Sequence, residues 1–257
     1  MKGLLNRMRN RKGQKTPEPE DCGRSGFLDR ILQKGNGPDR ERPIAEAGFV
    51  VIDTELTGLN ERKDAIVSIG ALRMTGGRIE LGSPFYELVN PGKELTAESI
   101  VIHGITPSEV MTKPDIDTVL SGFLQYCGSG ILVGHCLSLD LGFINREMKR
   151  IKGSVLPNAA LDTFVLYRWL RKRMPSHRLL VKPLRDCQLW GMARLFGVPV
   201  QDAHNALMDA FITAQLFQRF LPLALECGMR TAGDLLRAGD PSKGGDTYRA
   251  AGESSNF

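Results

Sequence analysis

The stretch Val50-Val51-Ile52-Asp53-Thr54-Glu55 decides the fold. A run of branched apolar residues, begun at Phe49, ends in two carboxylates separated by a single residue. An apolar run without alternation reads as a strand covered on both faces. Side chains i and i+2 of a strand share a face, so Asp53 and Glu55 leave its end together. Held side by side, two carboxylates repel unless a cation or a proton lies between them. Taken alone, the pair also fits a polar turn after a strand.

Working outward, residues 66–74 read as a second strand, and Gly76-Gly77 is a two-residue hairpin turn. Residues 78–81 and 85–89 form the returning strand, with Pro84 marking an irregularity and Asn90-Pro91-Gly92 closing it. Three strands joined by short turns imply an antiparallel meander. Thr106, Pro107 and Glu109 make a capping box that starts a helix ending before Asp115. A helix over 116–126 and a short apolar strand over 130–134 come next. Leu137, Leu141, Ile144, Met148 and Ile151 recur at helical spacing, so a helix runs to Lys152 with Ser138 as its N-cap. Residues 161–170 give a strand end and then a helix capped by Asp162; 188–196 is a helix stopped by Gly197 and Pro199. The last strong helix begins near Asn205, with an apolar stripe of Leu207, Ala210, Phe211, Ala214, Phe217 and Leu221. A weak helix is expected over 231–237.

This places the folded domain at residues 47–224. Residues 1–46, basic and rich in Pro and Gly, read as a solvated tail in which Phe27-Leu28 and Ile31-Leu32 could form one helical turn. Residues 225–257 read as a short helix and a loose tail. The 257 residues are 42% hydrophobic and 25% charged, an ordinary globular balance, and the net charge of +5 favours a polyanionic partner. Five cysteines without framework spacing fit a reducing compartment. With no apolar stretch near membrane-span length and no apolar leader, a cytoplasmic protein that engages no membrane is expected.

More acids recur downstream. Asp140 falls in the first turn of the helix after the 130–134 strand, where an acid also simply complements the helix dipole. Asp209 sits within the last strong helix, five residues after His204. On one continuous helix these two would lie about 140° apart. They converge only if His204 stands on the loop before the helix. Hydrolysis of a phosphodiester needs an activated water, a stabilised leaving oxygen and relief of phosphate charge. Two Mg²⁺ or Mn²⁺ ions about 4 Å apart supply all three, and such hard cations take oxygen ligands. Histidine, with an ordinary pKa near 6.5, can accept the water's proton.

Three segments carry a resemblance. They are Asp53-Thr54-Glu55-Leu56-Thr57-Gly58-Leu59, Gly134-His135-Cys136-Leu137-Ser138-Leu139-Asp140 and His204-Asn205-Ala206-Leu207-Met208-Asp209-Ala210. Together they resemble the three motifs of the DEDDh (DnaQ-like) exonucleases, the superfamily of the epsilon proofreading subunit of bacterial DNA polymerase III. Ile102-His103-Gly104-Ile105-Thr106 and Leu161-Asp162-Thr163 match further family segments. The likeness covers residues 48–221. Cys136 and Leu139 stand where the family usually has Asn and an aromatic.

The resemblance implies an RNase H-like α/β fold, a mixed five-stranded sheet flanked by helices. It implies a 3′→5′ exonuclease acting on 3′ ends of single-stranded or frayed DNA with two divalent cations, Mg²⁺ or Mn²⁺, and a DNA polymerase as partner. Asp53, Glu55, Asp140 and Asp209 are then the metal ligands, and His204 is the general base. Thr57, Gly58 and Leu59 lie along the terminal nucleotide, with His103 in a substrate-side loop. The same acids would serve a ribonuclease trimming RNA 3′ ends, a mononucleotide pyrophosphohydrolase or, if inactive, a polymerase-binding module. A basic run, Arg168, Arg171, Lys172, Arg173, Arg178, Lys182 and Arg185, reads either as a solvated face or as a track for a single strand. Trp169 and Trp190, which flank it, read as core. Gln215-Leu216-Phe217 faintly resembles a clamp-binding peptide but falls in the apolar helix, where core packing is expected.

Overall fold

The computed structural model describes residues 39–180, 188–200 and 204–244. The turn expected within residues 27–32, together with Lys182 and Arg185, lies outside them. β1 (Gly48–Leu56) is the centre of one sheet. Its neighbours are antiparallel β2 (Ile66–Thr75) and parallel β4 (Ile131–Gly134). Beyond them lie β3 (Arg78–Leu88), antiparallel to β2, and β5 (Ala160–Asp162), parallel to β4, giving the order β3-β2-β1-β4-β5. This is the mixed five-stranded sheet of the expected RNase H-like fold.

The apolar run of β1 is unbroken because both faces are covered. Phe49 and Val51 enter one core with α5 (Thr163–Arg173), α6 (Leu189–Leu195) and α7 (Ala206–Glu226). Val50 and Ile52 enter the other with α3 (Ile116–Cys127) and α4 (Ser138–Lys152). α7 is the largest apolar element, and Phe217 packs edge-on against Phe49 with centroids 5.0 Å apart. Leu216 and Phe217 are fully buried, as their place in an apolar helix requires.

Several boundaries differ from expectation. β1 continues past Asp53 to Leu56, because β2 still pairs there, Asp53 with Gly70 and Glu55 with Ser68. The irregularity at Pro84 is real: Ala71 pairs with Phe85 but Arg73 with Glu80, so residues 81–84 bulge from β3. A helix not anticipated, α1 (Ala97–His103), lies before the expected one. Thr96 caps it, accepting the Ser99 N–H at 3.1 Å, and Gly104 ends it at φ 70°. At seven residues it is too short for a periodic signal. α2 (Pro107–Val110) carries the capping-box pairing, with Glu109 accepting the Thr106 N–H at 2.7 Å. At α4, Leu137 and not Ser138 is the N-cap residue, and no side chain caps it. α7 runs on to Glu226 through Pro222.

Beyond α7, α8 (Ala232–Ala238) buries Ala232, Leu235 and Leu236 in the α7 core. Residues 39–46, read as tail, lie against it. Ile44 is buried, its N–H donates to Arg230 O at 3.0 Å, and Pro43 bridges Thr231.

Candidate active site

Parity along β1 sorts the acids. Asp53 and Glu55 follow Phe49 and Val51 on the α7 side, whereas Thr54 follows Val50 and Ile52 toward α4. Asp209, in the first turn of α7, therefore meets Asp53 and Glu55. One carboxylate oxygen from each of the three lies within 4.8 Å of the others. Gly70 makes this approach feasible. A Cβ there would stand 2.3 Å from Ala206 C and Leu207 N, so only glycine lets the start of α7 rest on the sheet beside Asp53. Gly inside a strand was the readable signal for this contact.

Asp140 arrives from the other side of β1. The Thr54 hydroxyl donates to its Oδ1 at 2.6 Å, holding a buried carboxylate beside the cluster but outside that three-residue group. Asp162 positions the segment leading to it. Fully buried, it accepts the Leu137 N–H at 2.7 Å with one oxygen and caps α5 with the other, through Phe164 N–H at 2.8 Å and Val165 N–H at 3.1 Å. Within that segment Cys136 adopts φ 54°, a left-handed conformation in which Asn is at home.

His204 lies outside α7, before the Asn205 N-cap, as convergence demands. It sits at φ 64°, and its backbone N–H donates to Asp209 Oδ2 at 3.1 Å. Trp190, read as core, does pack half-buried against the α7 core, but it also reaches the site. Its indole N–H donates to Asp209 Oδ1 at 3.1 Å, and its ring meets the His204 ring edge-on at 4.2 Å. An indole at the head of a helix gives no signal of such a role in the sequence.

Asp53, Glu55, Trp190, His204 and Asp209 line a cleft of about 780 Å³, with Thr57, Gly58, Leu59, His103 and Leu139 around them; Asp140 lies behind Thr54 and is not part of its lining. The 57–65 loop is fixed by Asp64, which sequence reading missed. Asp64 accepts the Thr57 hydroxyl at 3.2 Å and the Asn60 N–H at 2.9 Å. Arg146 of α4 donates to the carbonyls of Asp64, at 2.7 Å, and Glu61. His103 is the last residue of α1 rather than part of a loop. Its Nδ1 accepts the Ile105 N–H at 3.0 Å, so a neutral ring carries its proton on Nε2, which is buried with no hydrogen-bond partner. None of Arg168, Arg171, Lys172, Arg173 and Arg178 lines the cleft; Arg173 instead lies over the Trp169 ring at 5.0 Å.

The electrostatics are those of like charges crowded out of water. Burial, then the charges of Asp140, Glu55 and Asp209, hold the Asp53 carboxyl well above the usual carboxylate range. Glu55 is pushed up to about 8, first by burial and then by Asp209 and Asp140. Burial pushes Asp140 up to about 7 against the pull of the Thr54 hydrogen bond. Burial also raises Asp209, which its bonds from Trp190 and His204 oppose. The His204 imidazole is lowered by burial, which favours its neutral form. Carboxylates so placed need protons or cations, and an all-oxygen donor set fits a hard divalent ion rather than zinc held by Cys and His.

A mixed sheet with acids converging on its central strand from helices on both faces defines an RNase H-like nuclease domain. The exonuclease model RNase_T matches residues 50–217, and the chain belongs to this exonuclease family, in its DnaQ-like branch. It is 34% identical to DNA polymerase III subunit epsilon of Aquifex aeolicus over 178 residues, 69% of this chain and 82% of that protein. It is 35% identical over 210 residues, 81% of this chain, to a DNA polymerase III subunit epsilon-like protein of Rhodobacter capsulatus. The chain spans 29% of the length of that relative and 14% of a PolC-type DNA polymerase III of Listeria monocytogenes. Among solved structures, exonuclease X in complex with 5′ overhanging duplex DNA is 26% identical, with a TM-score of 0.54 over 74% of this chain and 98% of that one. E. coli exonuclease I in complex with a dT13 oligonucleotide shares the fold, with a TM-score of 0.60 and 15% identity over 70% of this chain and 42% of that one. No helix among the described residues is long and apolar enough to cross a membrane.

Proposed function

We propose that this chain is a 3′→5′ exonuclease that removes nucleotides from the 3′ ends of single-stranded or frayed DNA in the cytoplasm, in association with a DNA polymerase. The observation that carries the reading is the approach of Asp53, Glu55 and Asp209 to within 4.8 Å of one another, with Asp140 and His204 beside them. Exonuclease X, whose structure holds DNA, and the epsilon relatives support DNA and a polymerase partner.

Asp53, Glu55, Asp140 and Asp209 would hold two Mg²⁺ or Mn²⁺ ions, which supply Lewis acidity toward the attacking water and offset phosphate charge. His204, kept neutral by burial, accepts the proton of that water at its imidazole nitrogen. The 57–59 segment, pinned by Asp64, lies along the terminal nucleotide, and Leu59 and Leu139 offer apolar surface to its sugar and base. His103 lines the same cleft, its ring fixed by the Ile105 N–H on Nδ1.

The test is degradation of matched DNA and RNA oligonucleotides, labelled at the 3′ or the 5′ end, with Mg²⁺, Mn²⁺ or EDTA. Stepwise release of nucleotides from the 3′ end, faster on DNA and silenced by EDTA, is the expected result. Faster digestion of RNA would move the assignment to a ribonuclease, and no turnover on any strand would overturn it.

A further inference from the structure

We propose that Trp190 is a positioning residue that holds Asp209 and His204 in one fixed relation, so that ligand and base are set together. This rests on the exonuclease reading above and names a residue outside the acids and histidine that carry it. Asp209 is gripped at both oxygens: Oδ1 accepts the Trp190 indole N–H at 3.1 Å, and Oδ2 accepts the His204 backbone N–H at 3.1 Å. Two donors on one carboxylate fix its plane. Each oxygen keeps further lone pairs, so both can still face a cation. The same indole meets the His204 ring at 4.2 Å and an interplanar angle of 78°, which restricts that ring's rotation.

The anchor is rigid. Trp190 stands in the first turn of α6, whose Met192 and Ala193 are fully buried against the α7 core. α6 therefore transmits its packing to Asp209 and His204 through the Trp190 side chain. His204 needs such a hold, since it lies outside α7 in a left-handed backbone conformation that no helical hydrogen bond fixes. Outer partners of this kind commonly change metal affinity by tenfold or more when removed.

The test compares wild type, Trp190→Phe and Trp190→Ala by calorimetric Mn²⁺ titration, thermal melting in EDTA, and kcat and KM on a 3′-labelled oligonucleotide. Phe keeps the ring against His204 but loses the N–H. We expect Trp190→Phe to bind Mn²⁺ about three- to tenfold more weakly, with KM for the strand and the EDTA melting temperature near wild type. Trp190→Ala should add a further loss of about tenfold in kcat, because His204 is then free to turn. Unchanged Mn²⁺ affinity and kcat in Trp190→Phe would overturn the proposal. So would a rise in KM alone, which would make Trp190 a surface for the substrate. Failure of wild type to bind Mn²⁺ would overturn the metal site itself and this inference with it.

Discussion

Asp53 shows what the site costs the fold. Its carboxyl is held well above the usual range by burial and by three neighbouring acids, so ionising it in the absence of a cation is unfavourable. Asp53→Asn should therefore abolish nuclease activity while raising the melting temperature in EDTA at pH 8.5 by a few degrees, at about 2–4 °C per kcal/mol for a domain of this size. A lowered melting temperature would show that the carboxylate is structurally satisfied. His204→Ala should slow turnover by about 10²–10⁴ without changing Mn²⁺ affinity by more than a few-fold, since the proposed role of its imidazole is toward water and not toward the ions. Single-turnover kinetics at saturating Mn²⁺ check this. The shared face of Asp53 and Glu55 and the place of His204 outside the helix were legible in the sequence, because period-two geometry and the 140° offset are local rules. Trp190 and Asp64 were not, because a helix from a distant segment and a turn closing on itself create their roles.

At the scale of elements, two devices bring the acids together, and both can be broken. Gly70 lets the start of α7 touch β2, so Gly70→Ala drives a methyl into backbone that cannot give way. We expect a loss of about 1–3 kcal/mol or more in denaturant melts, together with weaker Mn²⁺ binding as Asp209 is pushed off. Asp162 satisfies three backbone N–H groups that would otherwise be buried and unpaired. Asp162→Ala should cost about 2–5 kcal/mol; a loss under 1 kcal/mol would mean water reaches those groups. The strands, α3 and the stripe of α7 were readable from periodicity and turn chemistry. What escaped was short or tertiary. α1 is seven residues long, and β1 outlasts its apolar run only because β2 continues to pair with it. α8 is buried by a strap at residues 39–46 that looks, in composition, like tail.

For the whole molecule, the proposed metal and the protons would compete for one site. Glu55 and Asp140 keep their protons up to about 8 and 7 in the fold, whereas unfolded carboxyls lose theirs near 4. Between those values the folded chain binds more protons than the unfolded one, so metal-free stability falls as pH rises through that window. A divalent cation replaces those protons. The gap in melting temperature between Mg²⁺ and EDTA should thus widen from pH 6 to pH 8.5, as read by calorimetry, and a gap independent of pH would refute the linkage. The central claim is that acids distant in sequence hold a pair of hard cations at the end of β1. Anomalous diffraction at the manganese edge, from crystals grown with Mn²⁺ and a 3′-terminal nucleotide, tests it most directly. Two peaks about 4 Å apart, within reach of Asp53, Glu55, Asp140 and Asp209, are the predicted result. No peak within reach of these carboxylates would contradict the account.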